Sequence, residues 1–302
     1  MADPAFLACD WGTTNLRAWL VGGDGEVLAS RDFELGVSRL GPGEAEARFA
    51  NEVRPALNAQ NLPAILCGMI GSNLGWRQVD YLPCPASLDD LRKALTTVAD
   101  GVRIVPGLRC DGVAGAPDVM RGEETQVFGW LRQDKARLTG RHVLCHPGTH
   151  AKWILIEDGR IVRFITAMTG ELFAVLRKHS VLKNDASADD EASFDAGLAA
   201  AEDGSALAAR LFTARSRVTA GGAAADSTPS YLSGLLIGAE VASVPTLLRV
   251  SLDHPIVLLG DEALCRWYER ALSRLGAAST TYDGEAAALA ALTALQMESA
   301  AP

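Results

Sequence analysis

The chain has 302 residues, 48% hydrophobic and 22% charged, so it has room for about two domains with substantial cores. Its 28 basic and 37 acidic residues give a net charge of -9, which disfavours nucleic acid as a partner because phosphate backbones are repelled. Six cysteines without a CxxC pair indicate neither a disulfide framework nor a zinc cluster. The sequence has no signal-peptide pattern and no run of about 18 apolar residues, which favours a cytoplasmic protein with no membrane partner.

The first predicted element is a strand that ends in an unusual turn. The apolar run FLAC is followed by Asp10, and then by Gly12, Thr13 and Thr14. An aliphatic run and an Asp-Gly pair come next, which is a strong hairpin signal. All of these residue types are ordinary turn formers, so a plain hairpin is one interpretation. A site for phosphate or a metal ion is the other.

The same hairpin pattern occurs a second time. Gly148-Thr149 is followed by a basic residue, a tryptophan, an aliphatic run and Asp-Gly, in the same order as in the first hairpin. The corresponding basic residues are Arg17 and Lys152. The sequence therefore predicts one hairpin that is used twice.

The elements after each hairpin also correspond. Helices are predicted from GEAEARFANEVRPAL and TGELFAVLRKHSVL, and short apolar strands end at Gly68 and Gly260. A further strand and helix follow in each half, VRIVPG with GEETQVFGWL and ASTTYDG with GEAAALAAL. We predict an α/β protein with two duplicated halves and a cleft between them, because the repeated order covers most of the chain.

The second half carries an insertion at about residues 183–230. It contains an acidic stretch, NDASADDEASFD, which we expect to be solvated, a helix from ALAARLFTAR, and a loop of small residues. The apolar helix SYLSGLLIGAEVASV follows, and its small residues Ser233, Gly234, Gly238 and Ala239 permit a close approach to another backbone. Core packing and the lining of a nucleotide pocket both stay open for this helix.

Taken together, these motifs resemble a known family. Asp-x-Gly-Thr-Thr on a first hairpin, matched by a second Gly-Thr hairpin, resembles the actin, heat-shock ATPase and sugar-kinase superfamily of ATP-using proteins. More closely, DWGTTNLRAW, GMIGSNLGW, YLPCPA, PDVMRGEETQVFG, HPGTHAKW, TGELFAVL, YLSGLLIGAE and LLGDEALCRWYERAL resemble the 2-dehydro-3-deoxygalactonokinase family. The resemblance covers nearly the whole chain outside the insertion and the termini.

The resemblance implies two ribonuclease H-like (actin-like ATPase) halves, with the sugar acid on the side of residues 1–138 and the nucleotide on the side of residues 139–302. The implied activity is ATP-dependent phosphorylation of 2-dehydro-3-deoxy-D-galactonate to its 6-phosphate. The residues alone do not separate this acid from another small polyol. A kinase for another hexonate or amino sugar and an actin-like nucleotide switch are the alternatives, and a homodimer is left open.

The first Gly-Thr turn is predicted to meet the phosphates of ATP. The backbone at Gly12 can approach phosphate oxygens, and the N–H groups and hydroxyls of Thr13 and Thr14 can donate to them. A carboxylate at Asp10 would repel bare phosphate. We therefore expect it to hold hydrated Mg²⁺, which prefers oxygen ligands and keeps several waters.

The facing half is predicted to hold the nucleotide through Gly148, Thr149, Lys152 and Gly260. Gly260 ends a strand, and its missing side chain would leave room for the adenine or the ribose. Two histidines flank the second turn with the spacing of metal ligands on a helix, but Pro147-Gly148 between them predicts a turn instead.

A kinase also needs a base near the acceptor hydroxyl. Asp118 is the predicted base, because it lies just past a strand of the first half where we expect a helix to begin. The same position is typical of a helix N-cap, and the two roles are compatible. Glu123 and Glu124 are the next candidates, and Asp111 follows them.

The sugar acid needs polar groups from the first half. Ser72 and Asn73 follow a buried strand, and ligands usually bind at the carboxyl ends of strands in open α/β sheets. We predict that Trp76 stacks on the carbon chain while Ser72, Asn73 and a cation such as Arg17 meet the hydroxyls and the carboxylate. A plain core position is the alternative for Trp76.

Overall fold

The fold contains three β-sheets with helices between and around them. The computed structural model describes residues 3–202 and 206–298. The strands are β1 (Pro4–Trp11), β2 (Leu16–Gly22), β3 (Val27–Phe33), β4 (Ala64–Gly68), β5 (Tyr81–Pro83), β6 (Thr96–Ala99), β7 (Val102–Ile104), β8 (Gly107–Asp111), β9 (Pro117–Met120), β10 (Arg141–His146), β11 (Ala151–Glu157), β12 (Arg160–Ala167), β13 (Ile256–Gly260) and β14 (Ser279–Asp283). The α-helices are α1 (Glu44–Arg48), α2 (Arg54–Ala56), α3 (Leu88–Lys93), α4 (Glu123–Arg132), α5 (Thr169–His179), α6 (Glu191–Ala200), α7 (Leu207–Leu211), α8 (Thr213–Thr219), α9 (Thr228–Leu248), α10 (Glu262–Arg274) and α11 (Gly284–Glu298).

Two of the sheets share a topology of five strands, to which the first sheet adds the antiparallel edge strand β6. The first has the order β3-β2-β1-β4-β7-β6, and the second has the order β12-β11-β10-β13-β14. In each sheet three strands form an antiparallel meander, and two later strands join in parallel on the other side of the first strand. The predicted duplication of α/β halves is therefore confirmed. The boundary expected near residue 138 lies between α4 and β10.

Both Asp-Gly hairpins form where the sequence predicts them. Asp158 and Gly159 have positive φ angles of 48° and 72°, as a tight hairpin turn requires. In the first hairpin Gly25 has a φ of 87°, and its N–H donates to the Gly22 carbonyl at 3.0 Å. Local turn chemistry is sufficient to predict these two connections.

Helices α4 and α11 lie in the core between the two sheets. One hydrophobic cluster joins Phe6 in the first sheet to Phe164 in the second through apolar side chains of these helices. The helices cross so closely that a side chain at Gly129 would overlap the Ala287 carbonyl. The two halves thus share a core and meet over a buried surface.

A third sheet, β5-β8-β9, connects the first half to the edge of the second sheet. Its Cys110 Sγ lies 3.3 Å from the Phe164 carbonyl in β12 and accepts from the Phe164 N–H at 3.4 Å. Asp118 lies inside β9, opposite Cys110, and α4 begins only at Glu123. The expectation that Asp118 begins and caps a helix is wrong, because its segment pairs with β8 instead.

The acidic stretch of the insertion is more than a solvated segment. Asp190 accepts hydrogen bonds from the N–H groups of Ala192 and Ser193 at 3.1 and 3.3 Å, and so caps α6. Helix α6 packs on α9, where a side chain at Gly197 or Gly234 would overlap the opposite backbone. The predicted helix of the insertion forms as α7 and α8, while residues 203–205 before it lie outside the described residues.

Helix α9 is long and apolar enough to cross a membrane by length and composition alone. However, 72% of its apolar window is buried inside the protein, as in a core helix. Gly234 and Gly238 contact α6, whereas Ser233 lines a cavity. Core packing therefore describes the face of the helix towards α6, and another face borders the cavity.

Candidate active site

A large cavity opens in the second half, with a volume of about 1490 Å³. Its walls come from the β10–β11 turn and from the starts of α5, α10 and α11, with one face of α9. Three residues predicted to bind nucleotide line it, namely Gly148, Thr149 and Gly260. The carboxyl ends of β10, β13 and β14 thus meet at one site, as expected for parallel strands.

The start of α5 lies directly on the second Gly-Thr turn. The Glu171 N–H donates to the Thr149 carbonyl at 2.9 Å, and Gly170 lies so close to Gly148 that a side chain there would overlap its carbonyl. Thr169 and Gly170 line the cavity. The turn and the helix N-terminus together form a surface suited to phosphate.

Two pairs of glycines occupy equivalent places in the two halves. A Cβ on Gly122, just before α4, would lie 3.2 Å from the Cα of Gly68 at the end of β4. A Cβ on Gly284, at the start of α11, would lie 3.2 Å from the Cα of Gly260 at the end of β13. The sequence pattern predicts Gly68 and Gly260 at strand ends, but it did not single out their partners. These partners, Gly122 and Gly284, are the first residues of the segments GEETQVFGWL and GEAAALAAL.

A smaller cavity, of about 400 Å³, surrounds the first Gly-Thr turn. Asp10, Gly12, Thr14 and Arg17 line it, and Glu285 lines both this cavity and the large one. The two cavities therefore adjoin at the start of α11. Thr13 is not among the lining residues, and its carbonyl accepts from the Ser38 N–H at 3.0 Å and from the Ser38 hydroxyl at 2.7 Å.

Asp10 lies at the end of β1, over the backbone of Gly68. A Cβ on Gly68 would lie 3.1 Å from Asp10 Oδ1, and the φ of +85° there also favours glycine. Burial raises the pKa of Asp10 to about 6, and the charge of Glu123 acts in the same direction. A cation close to this carboxylate would favour its ionised form.

Asp118 is held by three hydrogen bonds. Its carboxylate accepts from the Thr166 N–H at 2.7 Å, from the Thr166 hydroxyl at 2.6 Å and from the Val119 N–H at 2.8 Å. The two bonds from Thr166 join β9 to β12 across the two halves. Asp111, at the end of β8, is exposed, and its carbonyl accepts from Arg163 Nε at 3.3 Å.

Lys152 is buried at the junction of the halves, outside the lining of both cavities described above. Its ammonium donates to the Thr166 hydroxyl at 2.9 Å and to the Val119 carbonyl at 3.2 Å, and it lies 3.9 Å from Glu123 Oε1. Glu123 is 20% exposed. One chain of contacts thus runs from Asp118 through Thr166 and Lys152 to Glu123.

The two glutamates that begin α4 have different environments. Glu123 Oε2 accepts from the Arg121 N–H at 3.0 Å, while Glu124 Oε2 accepts from the Gly122 N–H at 2.7 Å. Glu124 is fully buried, which raises its pKa to about 8. Burial thus favours the neutral form of Glu124, whereas Glu123 is partly exposed and lines neither cavity.

The residues predicted to bind the sugar acid are not brought together in either cavity. Ser72 is buried, and its hydroxyl accepts from the Leu74 N–H at 3.2 Å, whereas Asn73 is exposed. Trp76 is half-buried against Phe49, with ring centroids 5.7 Å apart, and belongs to the edge of the first core. Trp76 therefore makes the contacts of a core residue, which was the alternative considered from the sequence.

Arg17 lies between two carboxylates. Its Nη2 donates to Asp32 Oδ2 at 2.8 Å, and it pairs with Glu285 across the boundary of the two cavities.

The flanking histidines of the second turn have separate partners: His146 Nε2 lies 2.8 Å from Gln126 Oε1, and His150 is hydrogen-bonded to Glu171. The predicted turn between them is confirmed.

Comparison with known proteins identifies the family. The model of the family described as 2-keto-3-deoxy-galactonokinase matches residues 10–295. The 2-dehydro-3-deoxygalactonokinase of Escherichia coli (strain K12) is 38% identical over 287 residues, covering 93% of this chain and 94% of that protein. A solved structure from Sinorhizobium meliloti, provisionally named a 2-dehydro-3-deoxygalactonokinase, is 35% identical with a TM-score of 0.85, covering 96% of this chain and 97% of its own.

A more distant solved structure shows the fold alone. The activator of 2-hydroxyisocaproyl-CoA dehydratase from Clostridium difficile with bound ADPNP is 13% identical, with a TM-score of 0.52 and coverage of 97% of this chain. The expected actin-like ATPase fold is confirmed, and the alternative functions considered from the sequence are not favoured by the relatives. The chain therefore belongs to the 2-keto-3-deoxy-galactonokinase family.

Proposed function

We propose that this chain transfers a phosphoryl group from ATP to the 6-hydroxyl of 2-dehydro-3-deoxy-D-galactonate. The observation that carries the proposal is the arrangement of two Gly-Thr turns, each at its own cavity, with Glu285 lining both cavities. Phosphoryl transfer requires mainly that two substrates are positioned and that charge on the moving group is neutralised. Family membership supplies the acceptor, because the curated relative acts as a 2-dehydro-3-deoxygalactonokinase.

In this proposal the nucleotide occupies the large cavity, with its phosphates at Gly148, Thr149 and the start of α5. The first turn meets the terminal phosphate from the other half through Gly12 and one of its two threonines, Thr13 or Thr14. Thr14 has the stronger support of the two threonines, because it lines the smaller cavity. Lys152 contributes positive charge between the halves. Its ammonium donates hydrogen bonds to acceptors within the protein, so we assign it no hydrogen bond to the nucleotide.

Asp10 fits the proposed role of a Mg²⁺ ligand. Its carboxylate lies over a glycine whose Cβ would crowd Oδ1, so the backbone leaves space beside the oxygen. Within residues 3–202 and 206–298 no three His, Cys, Asp or Glu side chains form a metal cluster, but Mg²⁺ typically takes one or two carboxylates and keeps its waters. When bound, Mg²⁺ would neutralise charge on the phosphates.

For the general base we propose Glu123, with Asp118, the residue predicted from the sequence, as the competing candidate. A base needs a free oxygen facing the acceptor hydroxyl. Glu123 is partly exposed, lies near Asp10 and has one oxygen whose nearest cation is 3.9 Å away. Both oxygens of Asp118 accept hydrogen bonds from the protein.

The function is tested by ADP release from ATP with a panel of acceptors: 2-keto-3-deoxy acids, aldonates, free sugars and amino sugars. We expect 2-dehydro-3-deoxy-D-galactonate to give the highest kcat/KM. A higher value for a free or amino sugar, or no ADP release with any keto-deoxy acid, would contradict the proposal. A cytoplasmic location and small molecules as the partners, with neither nucleic acid nor membrane, remain predictions.

A further inference from the structure

Arg121 lies two residues before the proposed base, Glu123, and its side chain contacts Gly71, Val79 and Tyr81 of the first half. The residue is 8% exposed. Its Nη2 donates to the Val79 carbonyl at 2.6 Å, and its guanidinium carbon lies 4.3 Å from the centroid of the Tyr81 ring. Nη1 lies against Gly71, where a Cβ would approach it to 2.7 Å.

The guanidinium of Arg121 lacks the partners that a buried cation normally has. Its Nε and Nη1 are buried and have no hydrogen-bond acceptor within residues 3–202 and 206–298. Among the ion pairs of the described residues, none includes Arg121. Leaving a buried donor without an acceptor is destabilising, and buried charges are usually paired. Stacking on Tyr81 offsets a part of this cost.

The position of Arg121 connects it to the acceptor side of the site. Val79 N–H donates to the Gly71 carbonyl at 2.9 Å, which closes the neck of a loop formed by residues 72–78. Arg121 contacts both residues of that neck. The loop contains Ser72 and Asn73, and the Arg121 N–H donates to the proposed base, Glu123.

The acceptor is a carboxylic acid, so its site needs a cation that is not already neutralised. Arg17 is paired with Asp32 and Glu285. Lys152 is buried with Glu123, Thr166 and the Val119 carbonyl around it. Arg121 has two donors, Nε and Nη1, without an acceptor among the described residues, and arginine suits carboxylate recognition because its donors are planar and fixed.

We propose that Arg121 binds the carboxylate of the sugar acid and so selects acids over neutral sugars. This inference rests on the proposed function. Gly71 and Val79, the two neck residues of the 72–78 loop, contact the guanidinium, so the carboxylate reaches Nε or Nη1 when this neck moves together with the loop. Binding of the acid then replaces the missing partner of a buried charge and couples the loop to the start of α4.

The test compares Arg121→Gln with the native protein on two acceptors, 2-dehydro-3-deoxygalactonate and its neutral carboxamide. Loss of a charged hydrogen bond predicts that KM for the acid rises roughly 10- to 100-fold, while KM for the carboxamide and for ATP changes less than about threefold. The acid-to-amide preference therefore collapses. Calorimetric titration with the acid alone should show the same loss of affinity without turnover.

Two further variants separate recognition from structure. Arg77→Gln removes a positive charge from the same loop, where Arg77 donates to the Thr97 carbonyl at 3.1 Å, and should leave both KM values unchanged. Arg121→Lys keeps the charge but loses the planar donors, so its acid-to-amide preference should lie between those of native protein and Arg121→Gln. If Arg121→Gln does not fold, the lysine variant decides the question.

Equal losses for acid and amide, or an unchanged preference in both Arg121 variants, would overturn the role of Arg121 and leave the kinase function intact. If the native protein phosphorylates a different sugar acid, the same comparison is made with that acid and its amide. If it acts only on neutral sugars, the proposed function and the Arg121 proposal both fail.

Discussion

The environments of several polar side chains in this protein are set by partners that lie far away in the sequence. Asp118 and Thr166 are separated by 48 positions, yet they share two hydrogen bonds that join β9 to β12. Arg17 and Glu285 lie at opposite ends of the chain and pair between the two cavities. A carboxylate in such a contact has a structural role whether or not it also acts on substrate, so its variants need separate readouts for folding and turnover.

Substitution by the corresponding amide distinguishes the role of Asp118 from that of Glu123. Asp118→Asn replaces an acceptor oxygen by a donor facing Thr166 or Val119, so we expect it to lose roughly 1–3 kcal/mol of unfolding free energy. Glu123→Gln removes the charge beside the buried Lys152 but keeps an acceptor oxygen, so it should cost less stability than Asp118→Asn and should lower kcat by about 10² to 10⁴ if Glu123 is the base. Melting temperature, ATP affinity and phosphoryl transfer are measured on each preparation. A fully stable Asp118→Asn variant that has lost turnover would instead make Asp118 the base.

The two threonines predicted at the phosphate turns are a matched pair for a second comparison. Thr149 lines the large cavity, whereas Thr13 lines neither of the two cavities. We expect Thr149→Val to raise KM for ATP by roughly tenfold through loss of one hydroxyl donor, and Thr13→Val to change it less than about threefold. Equal effects in steady-state kinetics would mean that both hydroxyls meet phosphate.

Elements of the second half are fixed by a close contact between helices. Helix α6 begins in an acidic stretch whose composition alone suggests a solvated loop. Its Phe194 is nevertheless buried, and Gly197 and Gly234 let the backbones of α6 and α9 meet. The acidic residues Glu191 and Asp195 pair with Arg270 on α10. Charge thus lies on one face of α6 and apolar packing on the other.

This helix contact predicts a strong effect from a single methyl group. Gly234→Ala would place a Cβ against the Phe194 carbonyl, so we expect about 1–3 kcal/mol of destabilisation in urea unfolding. Gly23→Ala is the control, because a Cβ there meets nothing within 4 Å, and its effect should stay within about 0.5 kcal/mol. Equal stabilities of the two variants would show that α6 and α9 are not in contact.

At the scale of the whole molecule, buried carboxyl groups link stability to pH. Glu240 in α9 accepts from Trp153 Nε1 at 2.7 Å and from the Tyr268 hydroxyl at 2.9 Å, behind the wall of the large cavity. Burial raises its pKa to about 7. The folded state therefore holds a proton that the unfolded state releases near its ordinary pKa of about 4.3. The contribution of Glu240 to the free energy of unfolding is fully present below the pKa of the unfolded state, and it is lost as pH rises through about 7.

Replacing Glu240 by glutamine should remove this part of the pH dependence. Between pH 5 and pH 8 the native protein should lose more unfolding free energy than Glu240→Gln, because glutamine cannot ionise. Urea unfolding at pH 5, 6, 7 and 8 measures the difference between the two proteins, which cancels other titrating groups. Parallel curves would mean that Glu240 does not change protonation on unfolding in this range.

The sequence by itself determined the duplicated architecture of this protein. Asp-Gly and Gly-Thr turns, apolar runs and strand-ending glycines depend on residues close in the chain, and they recur in the same order in both halves. The positions of Gly148, Thr149, Gly260, Asp10 and Thr14 at cavities follow from that order, because parallel strands bring their carboxyl ends to one edge. The family resemblance seen in the sequence rests on the same ordered motifs.

Only the tertiary structure decided what the individual polar side chains contact. Asp118 pairs into a strand instead of capping a helix, Arg17 is bound by two carboxylates, and Trp76 packs on Phe49. Arg121 was part of a quoted motif, but only its burial without acceptors makes it a candidate for recognising the acid. These contacts join residues distant in the chain, and such pairings depend on how sheets and helices pack, which local spacing does not encode.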